Sequence, residues 1–208
     1  MKVNNYPVKT PEAGDKLFGS NSSGDQYQFN MTNVSNNVFT YEIGEYVEDE
    51  GGVIFHRYLD GSTQNYLVIS ITDQSTGQAY SNVASTLIGA SAQSTWDGLS
   101  NSNAIVAQSG FTSGAAKTCL DLTSLGKNDW YLPSMDELNL IWINRFNINK
   151  TLVDVSGSTQ VQTNVNYWSS TENTSVNAYG FTIQNAIYMN SFGKSATNYV
   201  RAVRKFSI

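Results

Sequence analysis

The sequence is poor in the residue types from which chemical sites are built. Its 208 residues include one cysteine, one histidine and three prolines. A single cysteine forms no disulfide within the chain, so packing alone must hold the fold. The histidine, His56, lies in a strand-like pattern without the context of a catalytic triad, and no Cys/His cluster has metal-site spacing. We predict no metal site and no cofactor, and a structural or surface role for His56.

Charged residues are also scarce, and acidic residues outnumber basic ones. The chain has 12 Lys and Arg residues against 17 Asp and Glu residues, a formal net charge of -5, without a basic cluster. This balance lacks the electrostatic footprint of proteins that bind nucleic acids or anionic membranes. We find no apolar run typical of a signal peptide or a membrane span. The sequence predicts no nucleic-acid partner, no membrane insertion, and folding in a cytoplasm.

What is abundant is apolar and aromatic content. Hydrophobic residues make up 40% of the chain, with 12 Tyr and 9 Phe, which indicates an ordered β-rich or mixed fold. We divide the chain into a segment of residues 1–40 and a main domain of residues 41–208.

The first segment has the pattern of a β-hairpin. Residues 15–20 and 26–31 read as two short strands around a polar turn. Tyr27, Phe29 and Met31 alternate with polar residues and give one apolar face, which needs a partner because an isolated hairpin is marginal in water. We therefore predict an attachment or oligomerisation segment and a homotrimer.

The main domain is predicted to begin with a second hairpin and to contain two helices. Strands over 51–59 and 65–72 flank a polar turn, and residues 73–103 read mostly as loop with Trp96 as an anchor. One helix passes through Ala116 and Cys119, which we place in the core. Ser134 and Glu137 form a capping box that starts a helix to about residue 146. After residue 147 we expect strands and loops.

Catalysis has little support in this sequence. The chain has no phosphate-binding glycine loop in a strand-to-helix context. Four carboxylates could in principle supply a pair for glycoside hydrolysis; they are Asp129, Asp136, Glu137 and Glu172. Because Glu137 already serves as a capping residue, we predict a non-enzymatic protein, with an enzyme of unknown type as the remaining alternative.

Three blocks carry a resemblance to a known family. They are Gly51-Gly52-Val53-Ile54-Phe55, then Ala115 to Cys119 leading into Asp129-Trp130-Tyr131-Leu132-Pro133-Ser134-Met135-Asp136-Glu137-Leu138, then Tyr167-Trp168-Ser169-Ser170-Thr171-Glu172 with Val200-Arg201-Ala202-Val203-Arg204. In order and spacing the region from about residue 50 to 208 resembles the DUF1566 group of C-type-lectin-like domains. The resemblance implies an α+β fold with two helices, small twisted antiparallel sheets and much loop. It also implies ligand binding rather than chemistry.

Related C-type-lectin-like folds occur in phage receptor-binding proteins and in the variable proteins of diversity-generating retroelements, where the C-terminal segment binds the ligand. The Glu-Pro-Asn, Gln-Pro-Asp and Trp-Asn-Asp motifs of calcium-dependent sugar binding are missing here. One cysteine also cannot supply the active-site pair of the formylglycine-generating oxidase that shares the fold.

Strand periodicity divides the C-terminal segment into a scaffold and an outward set. The two arginines of the scaffold are expected to pair with carboxylates such as Glu172 or Asp136. The scaffold set comprises Trp168, Tyr179, Phe181, Ile183, Tyr188, Arg201 and Arg204. The predicted ligand-binding residues are Asn173, Ser175, Asn177, Gly180, Thr182, Gln184, Ile187, Asn190, Phe192, Ser195 and Thr197. An ordinary hydrophilic sheet surface with asparagine-rich turns is the other interpretation.

These observations lead to two functional hypotheses besides an enzyme. The first is a receptor-binding protein of a phage or prophage virion, assembled in the host cytoplasm. It would be held to other virion proteins by the first 40 residues and would bind a host cell-surface protein or glycan. The second is a bacterial surface or secreted lectin-like adhesin. In the first hypothesis the C-terminal segment could be diversified.

Overall fold

The computed structural model describes residues 16–20, 26–30, 39–182 and 188–208. The chain divides into two compact units, Met1–Thr40 and Tyr41–Ile208. In the first unit β1 (Lys16–Ser20) and β2 (Gln26–Asn30) pair antiparallel, with Gly19 opposite Tyr27. This confirms the predicted N-terminal hairpin. The apolar face predicted from Tyr27, Phe29 and Met31 lies outside the described side chains, and the attachment role stays a prediction.

The second unit is a mixed α/β structure built on one sheet. Within the described ranges the sheet has seven strands, in the order β3-β4-β5-β9-β6-β7-β8, and four helices accompany it. The strands are β3 (Tyr46–Val47), β4 (Gly52–Asp60), β5 (Thr63–Ala79), β6 (Asn166–Glu172), β7 (Asn177–Thr182), β8 (Tyr188–Gly193) and β9 (Thr197–Ser207). The helices are α1 (Gly98–Val106), α2 (Ala115–Leu120), α3 (Met135–Ile143) and α4 (Arg145–Leu152).

The hairpin predicted at the start of the main domain is confirmed. Asp60 pairs with Thr63 across a two-residue turn, and Gly61 adopts a φ of +59°, which favours glycine. β5 continues to Ala79, into the stretch expected to be loop. It does so because β9 runs beside it, from Asn65 opposite Ser207 to Ala79 opposite Thr197.

Both predicted helices are present, and two more were not predicted. The capping box is confirmed: Ser134 N donates to Glu137 Oε2 at 2.7 Å, and Glu137 N donates to Ser134 Oγ at 3.4 Å. α1 lies in the supposed loop region and starts where Asp97 accepts a hydrogen bond from Ser100 N at 2.9 Å. The predicted return to strand and loop comes after Leu152 rather than after residue 147, because α4 continues to Leu152.

The core lies between the sheet and the helices α3 and α4. Cys119 is fully buried, as expected of a core residue, whereas Trp96, the expected anchor, is 73% exposed. Burying each large apolar side chain contributes about 1.5–3 kcal/mol, before the entropic cost of ordering the chain. The buried cluster comprises Val53, Phe55, Leu67, Ile69, Tyr131, Leu138, Ile141, Ile148, Leu152, Val161, Tyr167, Phe181 and Val203.

The architecture differs from the expected one in two respects. A single seven-stranded sheet replaces several small sheets, and four helices replace two in the described part of the chain. β6 and β9 run parallel, with Tyr167 opposite Tyr199, while the other neighbours in the sheet are antiparallel. None of the described helices has the length and apolar content needed to cross a membrane.

Candidate ligand-binding surface

The C-terminal strands β7 and β8 form one end of the sheet. Phe181 stands opposite Met189, and Gly180 stands opposite Asn190. Phe181 is buried and contacts Trp142, with their ring centroids 5.8 Å apart. Its predicted core position is therefore confirmed. Of the other predicted residues in this segment, Ile183, Gln184 and Ile187 lie outside the described residues, as does the side chain of Tyr188.

Gly180 does not face a ligand, contrary to the strand-period prediction. It is buried, and a Cβ atom added there would lie 2.6 Å from Tyr167 O and 3.0 Å from the Phe192 ring. Phe192 itself is half-buried and meets Trp168 edge-to-face, with ring centroids 5.9 Å apart. Tyr179, which was assigned to the core face, is only half-buried. The face predicted to be outward is covered at Gly180, because the Phe192 ring of the next strand packs against it.

The remaining predicted residues differ in accessibility. Asn190, Ser195 and Thr197 are exposed, while Asn173, Ser175, Asn177 and Thr182 are half-buried. Two apolar side chains that were not predicted are also accessible here, Val176 at 50% and Met189 at 62%. We refer to this set as the C-terminal surface: Asn173, Ser175, Val176, Asn177, Thr182, Met189, Asn190, Ser195 and Thr197.

A hydrogen bond joins the loop after β6 to strand β8. Asn173 Nδ2 donates to Ser191 Oγ at 2.9 Å. The chain also turns back on itself, because Asn173 N and Thr174 N both donate to Asn177 O, at 3.1 and 3.0 Å. The loop between β6 and β7 is thus held by its own backbone and by β8.

A buried ion pair lies next to this surface. Lys194 Nζ contacts Glu172 Oε1 at 2.6 Å, and both side chains are completely inaccessible. Lys194 Nζ also donates to Thr86 O at 2.9 Å, and Glu172 accepts the amide groups of Ile88 and Gly89 at 2.8–3.0 Å. Every charged atom therefore has partners, which a buried ion pair requires. The pair ties residues 86–89 to the C-terminal strands.

Trp168 and Tyr80 complete the support of the surface. Trp168 Nε1 donates to Gln78 O at 2.7 Å and Tyr80 Oη donates to Ser170 O at 2.9 Å, while the two rings pack edge-to-face at 5.5 Å. Burial and the nearby Glu172 carboxylate raise the pKa of Tyr80 well above its ordinary value. The hydroxyl therefore stays protonated and keeps its donor role.

The two C-terminal arginines are scaffold residues, as predicted, but with other partners. Arg201 pairs with Asp73 at 3.1 Å, because β9 lies against β5 and places the two residues opposite each other. Arg204 Nη2 donates to Asp129 Oδ2 at 2.9 Å and its Nη1 contacts Glu50. The predicted pairing with Glu172 or Asp136 is wrong.

The four carboxylates considered for catalysis have separate structural partners. Glu137 accepts hydrogen bonds from Ser134 N and from Tyr131 Oη, the latter at 2.6 Å, and burial raises its pKa. Asp136 accepts one from Thr95 Oγ1 at 2.9 Å, while Asp129 and Glu172 bind Arg204 and Lys194.

The cysteine and the histidine also lie in structural settings. Burial raises the pKa of the Cys119 thiol, so a thiolate is disfavoured there. Burial lowers the pKa of His56 on β4. Among the residues that the structure describes, no three His, Cys, Asp or Glu side chains are grouped to hold a metal ion.

A family assignment follows from comparison with known proteins. The family model of the Lcl C-terminal domain matches residues 70–204, more than half of the chain. The chain belongs to the Lcl C-terminal domain family. The matched region of this Lcl C-terminal domain starts within β5 and ends within β9, and it includes the whole C-terminal surface and its supporting residues.

A solved structure shares the fold. The chain is similar to a fimbrial protein from Bacteroides ovatus ATCC 8483, with 20% sequence identity and a TM-score of 0.51. The similarity covers 66% of this chain and 35% of that protein, so the chain spans about a third of the fimbrial protein's length. At this identity the likeness concerns the fold alone. No curated protein matches the chain.

Several residues that shape the surface were missed from the sequence. Lys194 was not singled out, although it is the only charged residue between Asn173 and Tyr199. A lone charge in such a neutral stretch is a signal for a buried, paired group, because an unpaired one would be costly. Met189 was also missed, because apolar residues in a strand are normally assigned to the core. Val176 was missed within the loop between β6 and β7.

Proposed function

We propose that this Lcl C-terminal domain is a non-enzymatic, adhesin-like binding domain that acts at a bacterial cell surface through the C-terminal surface. One observation carries the proposal: an uncharged, accessible set of polar and apolar side chains is mounted on a fully buried aromatic and ionic support. Such an arrangement leaves the contacting residues free while it fixes their backbone. Family membership and the fold shared with a fimbrial protein support the same interpretation.

The chemistry of the surface indicates the kind of partner. The side chains of Asn190, Ser195 and Thr197 offer hydrogen bonds, and Val176 and Met189 offer accessible apolar area. With Lys194 buried, the surface has no charged group of its own. We therefore expect it to bind a neutral region of a cell-surface protein or glycan, with an affinity that changes little with salt.

A binding comparison tests this proposal. The intact chain and the variant Met189→Ser/Asn190→Ala/Thr197→Ala are measured against host-cell surface fractions. The matched control changes the same types of exposed residues elsewhere: Val153→Ser/Asn139→Ala/Thr123→Ala. We expect roughly a tenfold or greater loss of affinity in the first variant alone. Equal binding by all three proteins would show that the C-terminal surface does not bind the ligand.

The virion receptor-binding role is a second proposal. It rests on the resemblance to the C-type-lectin-like DUF1566 group and on the N-terminal hairpin β1–β2, which could attach the chain to other virion proteins as a homotrimer. Light scattering on the whole chain and on residues 41–208 tests the trimer. Monomers in both samples would refute it. Diversification predicts a near-identical copy of the C-terminal coding segment beside a reverse transcriptase gene, and a genome without either would exclude that part.

A further inference from the structure

A second concave site lies away from the C-terminal surface. It is a groove of about 490 Å³ between the strands β4, β5 and β9, the start of α3, and the loop before α1. This volume falls within the range of ligand clefts in proteins, roughly 300–1,000 Å³. The residues that matter for its chemistry are His56, Tyr58, Trp96, Asp97, Asp136 and Lys205.

Trp96 stands in the groove with an accessible side chain on a fixed backbone. Its side chain is 73% exposed. The loop that carries it is held on both sides: Asp136 N donates to Thr95 O at 2.8 Å, and Thr95 Oγ1 donates to Asp136 Oδ2 at 2.9 Å. Ser94 Oγ accepts the amide groups of Trp96 and Asp97 at 3.3 and 2.9 Å. An aromatic ring fixed in this way needs little ordering when a ligand arrives.

Close packing of two helix starts underlies this fixation. A Cβ atom on Gly98 would lie 2.7 Å from Ser134 N and 2.8 Å from Leu132 O. Only glycine therefore lets the start of α1 approach the start of α3 so closely. This contact brings Asp97 and Asp136 to the same groove, and the loop with Trp96 lies between them in the hydrogen-bond network.

The groove has an excess of negative charge. Its lining contains the carboxylates of Asp97, Asp136 and Glu137, against the single ammonium group of Lys205. Among the described residues, no ion pair involves any of these three carboxylates. Within the part of the chain that the structure describes, Asp97 and Asp136 accept side-chain hydrogen bonds from neutral groups only.

The groove already contains one contact between a cation and an aromatic ring. Lys205 Nζ lies 5.2 Å from the centroid of the Tyr58 ring, within the range of a cation–π interaction. Trp96 has no corresponding cation in the described part of the chain. Tryptophan is the most favourable ring for such a contact, and here two carboxylates accompany it.

We propose that this groove binds the ammonium or guanidinium group of a lysine or arginine side chain presented by a partner protein. The apolar stem of that side chain would lie on the Trp96 ring, and its charge would meet Asp97 and Asp136. The proposal is independent of the function assigned to the C-terminal surface, because the two share no residue. A neutral saccharide would use the same ring without needing the two charges, and the test separates the two ligands.

The test uses the intact chain and dye-labelled tetralysine, with binding followed by fluorescence anisotropy at low salt. The key variant is Asp97→Asn/Asp136→Asn, which removes two charges. Asparagine preserves the helix cap at position 97, since it caps about as well as aspartate, and it still accepts the hydrogen bond from Thr95. The matched control is Asp121→Asn/Asp154→Asn, which removes the same charge from exposed positions outside the groove.

We expect roughly a tenfold weaker affinity in the Asp97→Asn/Asp136→Asn variant, a similar loss in Trp96→Ala, and no comparable loss in the control. Binding should weaken with added salt, and Nε-acetylated tetralysine should not bind. Thermal melting of each variant close to the parent chain establishes that loss of binding is not loss of folding. Three results would overturn the proposal. They are a key variant that binds tetralysine as tightly as the parent chain, an acetylated peptide that binds as well as tetralysine, and binding of a neutral oligosaccharide without any binding of tetralysine.

Discussion

The C-terminal end of the sheet and the groove beside Trp96 use charge in opposite ways. At the sheet end Lys194 and Glu172 are inaccessible and fully paired, and the accessible residues around them are neutral. In the groove Asp97 and Asp136 keep access to solvent and have no cationic partner among the described residues. The comparison teaches that the charges at the sheet end hold the fold together, whereas the two carboxylates of the groove remain accessible and without a cation.

The largest expected effect comes from breaking the buried pair. We predict that Lys194→Met lowers the free energy of unfolding by roughly 3–5 kcal/mol, because Glu172 is left buried without its cation. The matched variant Lys117→Met breaks the exposed pair with Asp121, whose atoms are 2.8 Å apart, and should cost less than about 0.5 kcal/mol. Urea denaturation of the whole chain measures both. Similar losses of stability in the two variants would contradict the contrast between buried and accessible charge.

A smaller loss of stability is expected from a change at Gly98, where α1 meets α3 beside the groove. Gly98→Ala should lower the free energy of unfolding by about 1–3 kcal/mol, since its methyl group has no space against Ser134 N and Leu132 O. Gly77→Ala is the control, because the nearest atom to its added Cβ lies 3.9 Å away. The groove should also lose affinity for tetralysine in Gly98→Ala as the Trp96 loop shifts. A Gly98→Ala protein as stable as Gly77→Ala would contradict the close approach of α1 and α3.

The smallest effect is a pH dependence of the ion pair between Asp129 and Arg204. Burial alone disfavours the charged form of Asp129, but the hydrogen bonds and charge of Arg204 outweigh it and lower the carboxyl pKa below 3.8. A carboxylate whose pKa is lowered by folding stabilises the folded state at any pH above its ordinary pKa. This stabilisation is lost as the pH falls through the pKa of the folded state.

The variant Asp129→Asn measures this contribution. It should be about 1 kcal/mol less stable than the parent chain near neutral pH, a value appropriate to a partly exposed charged hydrogen bond. The difference should persist down to about pH 4 and disappear at lower pH. Denaturation curves over this range give the result. A difference that grows in acid would show that Arg204 does not stabilise the Asp129 carboxylate.

Local signals predicted the parts of the fold that depend on local physics. The turn at Gly61, the capping box of Ser134 and Glu137, and the buried stripe with Cys119 are each specified within a few residues. α1 was missed although Asp97 and Ser100 carry a capping signal, because its sequence of Gly, Ser and Asn has low helix propensity. Tertiary packing of the buried Asn101, Ser102 and Ile105 stabilises it instead.

Long-range pairing was beyond the reach of sequence patterns. The partner of Arg201 is 128 residues away in the chain and that of Arg204 is 75 residues away. The placement of β9 next to β5 brings Asp73 to Arg201, and the bridge between Tyr131 and Val203 brings Asp129 near Arg204. The same holds for Gly180, whose burial depends on the Phe192 ring in the next strand. The prediction of the candidate site was therefore correct about the segment and incomplete about which of its side chains are accessible.

The position of β9 has a consequence for folding during synthesis. β9 lies between β5 and β6, so it joins the strands made first to the strands made just before it. Until residues 197–207 are synthesised, β5 and β6 each present an unpaired edge of backbone amide and carbonyl groups, which favours pairing with other chains. A nascent chain that ends before β9 should therefore be the species most prone to aggregate. β9, which joins the two halves of the sheet, is the last of the seven strands to be synthesised.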